Sequence, residues 1–439
     1  MANKNWGAGS LIGGGADALD AIDGALLSDG DHALVATLTG HYVYVLDADS
    51  AATEISPSVI APDSNAGDKR WLLVDPNIVR QENLLANSGF GVWSNSTLEN
   101  VRTLPDATTT VVGTTCTSTA HALTAGMLVK DASGTPLVFE VVSITTSDVF
   151  EVDRAGATNG QWYEASPGCV ASDALGPDGW AKDGTLDLHR EHNGSNTKPG
   201  SFYAIKLTKG ADTTEQLKYD PDQDQRWEAR TMSMGAWIKD STASNARLYM
   251  YTGSAYTYSD YHTGGGSYEW IEMTATIESN PVNVHFGVDL QGSTGNISYV
   301  SQAMLVFGSS IGEGNYSSPP GEVVWFEDDS NYLNSYANVT VSANAVINLE
   351  AESNGAVPKG AKSVIVQLQA VCPAATGRLL GLKASSGDNV VAVGGYNEVA
   401  SSFFYRTGIV PCDVYGDIYI IRDNTYTNVY VRLAGVGLR

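Results

Sequence analysis

The residues best suited to bind a ligand form a tyrosine-rich run between two strand-like segments. The run GSAYTYSDYHTGGGSYEW holds Tyr256, Tyr258, Asp260, Tyr261 and His262 ahead of three consecutive glycines. Aromatic rings on a loop need a reason to remain in water, and the C–H groups of sugars pack well on such rings. The run therefore indicates a carbohydrate-binding loop or a subunit contact. A strand whose tyrosine rings cover its neighbours is the alternative, and it is slightly favoured.

Two tryptophans and three carboxylates elsewhere supply further candidate site residues. Trp180 and Trp227 are candidates for the same sugar contact, although their sequence surroundings fit a core position as well. The run YDPDQDQRWE places Asp220, Asp222 and Asp224 at alternate positions, which is typical of the start of a calcium loop. The run lacks the glycine and the final glutamate of an EF-hand, so only an irregular structural calcium site is predicted.

Motifs of known catalytic sites are missing from this sequence. It has no G-x-S-x-G motif, no P-loop and no dinucleotide-binding fingerprint. The run HREH places His189 and His192 three residues apart, without the order or the third ligand of a zinc protease. Acidic residues are numerous, but no pair stands out as an acid and a base for glycoside hydrolysis. We therefore predict a protein without enzymatic activity.

The composition favours strands over helices and disfavours a nucleic-acid partner. Of the 439 residues, 43% are apolar and only 17% are charged, so Ser, Thr, Asn and Gly must supply much of the surface. The 46 glycines and 21 tyrosines are typical of short strands joined by turns. The net charge of −24 would repel a phosphate backbone. We predict a mainly β protein that does not bind nucleic acid.

The negative charge is concentrated upstream of the last quarter of the chain. Residues 331–439 hold eight basic and seven acidic residues, so this part is close to neutral. A neutral end approaches an anionic cell envelope at less electrostatic cost. Ordinary variation between domains is an equally good explanation.

The cysteines and the chain start bear on the compartment in which the protein is made. Cys116, Cys169, Cys372 and Cys412 lack metal-binding spacing, and free thiols are favoured over Cys116–Cys169 and Cys372–Cys412 bridges. The start MANKNWGAGS has no apolar signal-peptide core, and no long apolar run follows. We expect synthesis in a cytoplasm and no membrane insertion.

Two segments resemble parts of virion proteins. The run DAIDG…LSDGD…YVYVLDADSAATEISPSVIAPDSNAGDKRWLLV, within the first 75 residues, resembles a module near the N-terminus of tail-fibre and appendage proteins of tailed phages and prophages. The run NLEAESNGAVPKGAKSVIVQLQA resembles, less specifically, the entry to C-terminal domains of phage tail fibres. The resemblance implies a homotrimeric fibre subunit that is made in the host bacterial cytoplasm and attached through its N-terminal region to other virion proteins.

A third segment resembles the start of a carbohydrate-binding domain. The run ENLLANSGFGVW resembles the first strand of jelly-roll carbohydrate-binding modules, and DALGPDGW resembles its continuation after an insertion. We therefore expect Leu84, Leu85 and Phe90 to pack on the strands that follow Trp180. Related sandwiches often hold a structural calcium, which the resemblance implies for this chain as a possible cofactor.

These segments predict several β-sandwich or jelly-roll domains in an elongated multidomain fibre subunit. The predicted parts are an attachment module at 1–75, a connector with the first sandwich strand at 76–100, an inserted β domain at 101–172, the jelly roll at 173–326 and a C-terminal tip sandwich at 327–439. The run YGDIYIIRDNTYTNVYVRLAGVG predicts a hairpin in the last part, with its turn near Asp423–Asn428.

The leading functional hypothesis is a virion fibre that binds host-surface carbohydrate during adsorption. A collar, head or tail decoration protein without a receptor role is the second hypothesis. A glycan depolymerase or esterase is the third and least favoured, because the sequence offers no nucleophile or acid pair.

Overall fold

Strands, nearly all of them paired antiparallel, are the main regular structure of the described chain. Strands hold 46% of the residues and helices hold 2%, which confirms the predicted mainly β class. The computed structural model describes residues 3–13, 15–37, 41–63, 67–75, 82–132, 137–170, 175–221, 224–308, 310–319, 321–328 and 331–438. Within these ranges no helix is long and apolar enough to cross a membrane. The chain forms two compact units, Met1–Gln81 and Glu82–Arg439.

The first unit is a single sheet packed on one small core. Its strands are β1 (Asn5–Ala8), β2 (His32–Ala36), β3 (His41–Asp47), β4 (Val59–Ile60) and β5 (Arg70–Asp75), with a 3₁₀ turn at Gly24–Leu26. The sheet order is β1-β2-β3-β5-β4. The core side chains include Leu19, Val35, Tyr44 and Trp71. The strict alternation of buried and exposed residues along β2 explains why this run forms a strand.

The second unit begins with residues 82–96, which are irregular and not the predicted first strand. Asn87 and Phe90 have positive φ angles, which break any strand here. The side chain of Asn87 makes hydrogen bonds that a neighbouring strand would otherwise make. Its oxygen accepts from the Gly91 and Val92 amides, and its amino group donates to the Val92 carbonyl. This loop therefore satisfies its own backbone while Leu85, Phe90 and Trp93 remain buried.

The strands that follow the loop span Thr97–Cys169, in the region of the inserted β domain predicted at 101–172. They are β6 (Thr97–Thr103), β7 (Thr110–Val112), β8 (Thr115–Thr117), β9 (Leu128–Asp131), β10 (Val138–Thr146), β11 (Val149–Val152) and β12 (Trp162–Cys169). Val129, Phe139, Phe150 and Trp162 form a separate core in this part. The insertion thus has its own core.

The jelly roll consists of two facing sheets. Its strands are β13 (Ala181–Asp183), β14 (Asp187–Glu191), β15 (Ala204–Thr208), β16 (Gln216–Tyr219), β17 (Thr231–Asp240), β18 (Ala246–Tyr251), β19 (Tyr256–Tyr258), β20 (Tyr268–Thr276), β21 (His285–Leu290) and β22 (Ile297–Phe307), with a 3₁₀ turn at Asp224–Trp227. One sheet has the order β13-β16-β21-β18-β19. The other begins β20-β17-β22-β15-β14 and continues through β12 into the insertion, so the insertion shares a sheet with the jelly roll.

The core between these two sheets includes the loop at 82–96. Leu85, Phe90 and Trp93 belong to this core and Leu84 packs against it, and the ring of Phe90 lies 5.0 Å from that of Trp180. The expected packing of this loop on the strands after Trp180 is therefore confirmed, although the loop is not a strand.

The last part of the chain is a second sandwich. Its elements are β23 (Val323–Trp325), β24 (Tyr332–Val341), β25 (Ala345–Ile347), α1 (Leu349–Glu352), β26 (Ser363–Val371), β27 (Leu379–Lys383), β28 (Val393–Tyr396), β29 (Phe403–Pro411), β30 (Ile418–Arg422) and β31 (Tyr426–Gly437). One sheet has the order β23-β31-β26-β29, with β24 also on β31, and the other has the order β25-β30-β27-β28. The predicted hairpin of β30 and β31 is wrong, because these strands lie in different sheets.

A buried ion pair joins the two sandwiches of the second unit. The guanidinium of Arg190 contacts Glu350 Oε1 at 2.6 Å and donates to the carbonyls of Gly91 and Gly355. Tyr203 donates its hydroxyl to the same carboxylate oxygen at 2.8 Å. Because an unpaired charge is costly in a core, this network ties strand β14 firmly to helix α1.

None of the four cysteines forms a disulfide bond, as the sequence favoured.

Candidate functional site

The outer side of the sheet β13-β16-β21-β18-β19 carries the candidate site. Side chains alternate along each strand, so Phe286 and Val288 of β21 enter the core while His285 and Asp289 point outward. On the adjacent strand β18, Tyr249 and Tyr251 pair with Gly287 and His285 and so share that outer side. We call this surface the tyrosine face, and its members are Gln216, Lys218, Arg247, Tyr249, Tyr251, Tyr256, Tyr258, His285 and Asp289.

The edge strand β19 gives the tyrosine face two solvent-exposed rings. Tyr256 is 43% exposed and Tyr258 is 39% exposed. Their planes are nearly parallel, at 11°, with ring centroids 5.9 Å apart. Strand pairing places them opposite Tyr251 and Tyr249. Exposed, parallel rings of this kind can pack against the C–H faces of a sugar chain.

A cation holds part of this ring cluster in place. The Arg247 guanidinium carbon lies 3.6 Å from the ring centre of Tyr258 and 4.6 Å from that of Tyr261. Arg247 Nε also donates to Asp289 Oδ2 at 2.9 Å, and that carboxylate is almost fully buried. The cation is thus fixed from both sides, which orders the two rings before any ligand arrives.

Three buried polar atoms on the tyrosine face have no hydrogen-bond partner among the residues that the structure describes. They are Tyr249 Oη, His285 Nε2 and Gln216 Oε1. Buried polar groups in folded proteins are nearly always paired, so each such atom needs an explanation. Three of them on one side of one sheet mark a place where a ligand or ordered water supplies the missing partners.

The neighbours of these atoms define what each can exchange with a ligand. His285 Nδ1 donates to the Asn283 carbonyl, and burial lowers the pKa of His285, so its Nε2 is an acceptor in the neutral ring. The amino group of Gln216 faces Asp289, which leaves its oxygen as an acceptor. Burial raises the pKa of Tyr249 well above the usual value, so its hydroxyl stays a donor. A sugar hydroxyl can meet either need, since it both donates and accepts.

The predicted tyrosine-rich run is divided between the surface and the interior. Tyr256, Tyr258 and the half-buried Tyr261 meet at the tyrosine face, and Asp260 is exposed in the turn beside them. His262 is buried, with Nε2 next to the Ser267 carbonyl and Nδ1 accepting from the Gly264 amide. It therefore holds the glycine turn and does not reach a surface ligand.

The two candidate tryptophans are core residues, which corrects the prediction that they contact a ligand. Trp180 packs between Phe90 and Tyr219, and Trp227 packs against Phe286 and Phe307. Both are only 3% exposed. Their large rings fill the space between the sheets, where burial of apolar area is most favourable.

The predicted calcium ligands can be followed only in part. Asp220 is described, and its carboxylate lies 3.6 Å from the ammonium of Lys218, which is 3.8 Å from Asp183. Asp222 and the side chain of Asp224 lie outside the described residues. Over the part of the chain that the structure describes, no group of three or more His, Cys, Asp or Glu side chains is placed to hold a metal ion.

Sequence reasoning missed most of the tyrosine face, although the signal was present. Strand β18 reads ARLYMY, in which Arg247, Tyr249 and Tyr251 alternate with apolar residues. Strand β21 reads HFGVDL, in which His285 and Asp289 alternate in the same way. Aligning the polar side of these two strands with the tyrosine-rich run would have indicated one shared surface.

Comparisons with known proteins give weak structural matches. No protein-family model and no curated protein matches the chain. The CBM22-2 xylan-binding domain from Paenibacillus barcinonensis Xyn10C matches with 12% identity and a TM-score of 0.24 over 30% of this chain and 92% of that domain. The complex of TmCBM61 with β-1,4-galactotriose matches with 15% identity and a TM-score of 0.23 over 29% and 88%. These values are too low to bear on function.

Proposed function

We propose that this chain is a non-enzymatic fibre or other appendage protein of a tailed-phage or prophage virion, and that it binds host-surface carbohydrate through the tyrosine face. The observation that carries the proposal is the coincidence of two exposed tyrosine rings with three unpartnered buried polar atoms on one sheet surface. Rings for C–H contacts and a few directed hydrogen bonds are the two things that sugar recognition requires.

The virion assignment is supported by sequence resemblance at both ends of the chain. Within that assignment, the near-neutral last quarter and the acidic remainder suit a protein whose end approaches an anionic cell envelope. The proposed location is the virion, and other virion proteins are the proposed partners of the N-terminal region.

A glycan array and a whole-cell binding assay test the carbohydrate proposal. The Tyr256→Ala/Tyr258→Ala double variant should lose at least about tenfold in affinity for any glycan or cell that the native chain binds, because both exposed rings are removed. Tyr396→Ala is the matched control, since Tyr396 is an exposed tyrosine on the C-terminal sandwich. Blank arrays and cells with the native chain, or equal binding by both variants, would contradict the proposal.

The absence of enzymatic activity is tested on the same glycans. Incubation of the chain with host polysaccharide should release no reducing ends and leave the polymer length unchanged. Release that survives removal of the two rings would instead favour a depolymerase with its site elsewhere.

We also propose that the fibre is a homotrimer that associates through its C-terminal sandwich. The outer side of sheet β23-β31-β26-β29 exposes a set of apolar and aromatic side chains, called the apolar face: Val323, Trp325, Tyr332, Phe403, Tyr405 and Ile409. A patch of this kind on a sheet surface is typical of a protein–protein contact. Copies with a net charge of −24 repel one another, and residues 331–439 are the part where that repulsion is weakest.

A further inference from the structure

A groove lies between the jelly roll and the C-terminal sandwich of the second unit. The groove encloses about 400 Å³ and lies away from the strands that make the tyrosine face. Its walls come from the jelly roll, the connecting segment and the C-terminal sandwich: Ser201, Phe202, Gln302, Tyr316, Glu322 and Lys359. Glycines at positions 89, 91, 200 and 360 complete the lining, so a ligand can approach the backbone closely.

One wall of the groove is an aromatic ring held open to solvent. Phe202 is 65% exposed although its neighbour Tyr203 is buried. The ring lies against Gly360, where an added Cβ would sit 3.1 Å from it. A side chain at this position would crowd the ring, and the positive φ angle of Gly360, 77°, favours glycine there. The fold thus presents one face of Phe202 to the groove.

A strained residue aims an amide at the same groove. Gln302 has a φ angle of +53°, which is uncommon for a non-glycine residue within a strand. The pairing of β17 with β22 shifts register here, so that Gln302 and Ala303 both lie opposite Ala236. Bulges of this type redirect side chains and occur often beside binding sites. Gln302 Nε2 donates to Ser201 Oγ at 2.9 Å, which fixes the side-chain amide at the wall of the groove.

The charges around the groove indicate the class of ligand. The carboxylate of Glu322 is nearly buried and accepts from the Asn87 amide. The ammonium of Lys359 forms an ion pair with the carboxylate of Glu140, on the side away from the groove. An anionic ligand would therefore meet a carboxylate without a free cation, whereas a neutral polyol would meet a ring, an amide and hydroxyl groups.

We propose that this groove binds a single neutral pyranose unit, independently of the tyrosine face. The ring of Phe202 packs on the C–H face of the sugar, and Gln302 and Ser201 bond its hydroxyls. The left-handed backbone of Gln302 is retained because it directs the amide, in keeping with the frequent location of backbone strain at ligand sites.

Saturation-transfer NMR with the methyl glycosides of glucose, galactose, mannose and N-acetylglucosamine tests this proposal. The measurement is made on the full chain carrying Tyr256→Ala and Tyr258→Ala, so that only the groove can respond. Transfer to at least one glycoside should persist there, and adding Phe202→Ala should weaken it about tenfold. Tyr396→Ala is the matched control, because Tyr396 is a 62% exposed aromatic residue of the C-terminal sandwich that belongs to neither the groove nor the apolar face.

A second variant separates binding from folding. Gln302→Gly removes the amide and also the strain, so it should lower the saturation signal while Tm stays equal or rises. A fall in Tm with unchanged signal would mean that Gln302 serves the fold alone, and would overturn the proposal.

The possible failures of the two sites are distinct. Absence of transfer from every glycoside, or equal transfer with and without Phe202→Ala, would overturn the groove and leave the tyrosine face standing. Transfer that depends on Phe202 in a chain whose array binding ignores Tyr256 and Tyr258 would support the groove and contradict the proposed function.

Discussion

The tyrosine face and the apolar face both expose aromatic rings on the outside of a sandwich, but they differ in what lies between the rings. The tyrosine face holds Arg247, Asp289 and three buried polar atoms without partners. On the described strands of the sheet that carries the apolar face, every buried side-chain polar atom has a hydrogen-bond partner. The first surface is therefore incomplete without hydrogen bonds from outside, whereas the second needs only to lose water.

This contrast is the reason for proposing different occupants for two surfaces that look alike in composition. Unmet hydrogen bonds discriminate between ligands, because a wrong ligand leaves buried groups unpaired. An apolar patch gains free energy from contact with any complementary surface, including a copy of itself. Exposure of aromatic residues alone would not have separated a sugar site from a subunit contact.

The largest expected effect comes from placing charge on the apolar face. Phe403→Asp combined with Ile409→Asp should weaken self-association at least about a hundredfold, since two carboxylates would have to be desolvated at each contact. Mass photometry of the native chain should show trimers, and the variant should show monomers. Val390→Asp is the control, because Val390 is also an exposed apolar residue but lies off the sheet.

The same experiment can contradict the proposed difference between the tyrosine face and the apolar face. If the native chain is monomeric at all concentrations tested, the apolar face has no role in self-association. Loss of glycan binding by the monomeric variant would show that the two surfaces are not independent.

The next effect concerns the cation that orders the tyrosine face. Arg247→Ala leaves the nearly buried Asp289 carboxylate without its ion pair, and it removes the support of Tyr258 and Tyr261. We expect a loss of about 2–4 kcal/mol in the free energy of unfolding, measured by urea denaturation, together with weaker glycan binding. Arg406→Ala is the control, since that guanidinium rests on Phe404 at the surface. Equal effects of the two substitutions would show that Arg247 is an ordinary surface cation.

The alternation of apolar and polar residues along short segments of the sequence was sufficient to predict the β class and the burial of alternate residues. It could not predict which strands pair, because pairing depends on contacts far apart in the chain. Strands β30 and β31 look like a hairpin, yet β30 pairs with β25 and β27 while β31 pairs with β26. The loop at 82–96 illustrates the same limit, since its apolar residues predicted burial correctly while the Asn87 bonds prevent a strand.

The candidate site was predictable from the sequence only at its exposed edge. Tyr256 and Tyr258 stand out in the sequence because they are aromatic, two residues apart and flanked by turn residues. Trp180 and Trp227 carry the same chemical signal but fill the core. The residue type of an aromatic side chain does not determine whether the ring is buried. Burial depends on the place of the ring relative to the strands and on what packs against it.

A smaller effect is expected at an acid that belongs to neither face. Burial, helped by the charge of Asp413, raises the pKa of Asp417 to about 7. When the pKa of an acid is higher in the folded state than in the unfolded state, the protonated acid favours the folded state. That stabilisation is complete below the pKa of the unfolded state and is lost as the pH rises to the folded-state pKa of about 7. Stability should therefore fall between about pH 4 and pH 7 and level off above that, and Asp417→Asn should flatten the curve and add about 1–2 kcal/mol at pH 8. Asp388→Asn, at a solvent-exposed turn, is the matched control.

The smallest expected effect is the pH response of glycan binding at the tyrosine face. Burial lowers the pKa of His285 below its usual 6.5 and raises that of Tyr249, so both keep their neutral forms at pH 7 and above. The charged groups nearest His285 are Lys218, Asp220 and Asp183. The acceptor at Nε2 and the donor at Oη are then unchanged, and affinity should vary by less than about twofold between pH 7 and pH 9 in isothermal titration. Asp417→Asn gives the control, since it alters stability over this range without altering the face. A steep loss of affinity between pH 7 and pH 9 would mean that an ionised group contacts the sugar, and the face would then need to be assigned to a charged ligand.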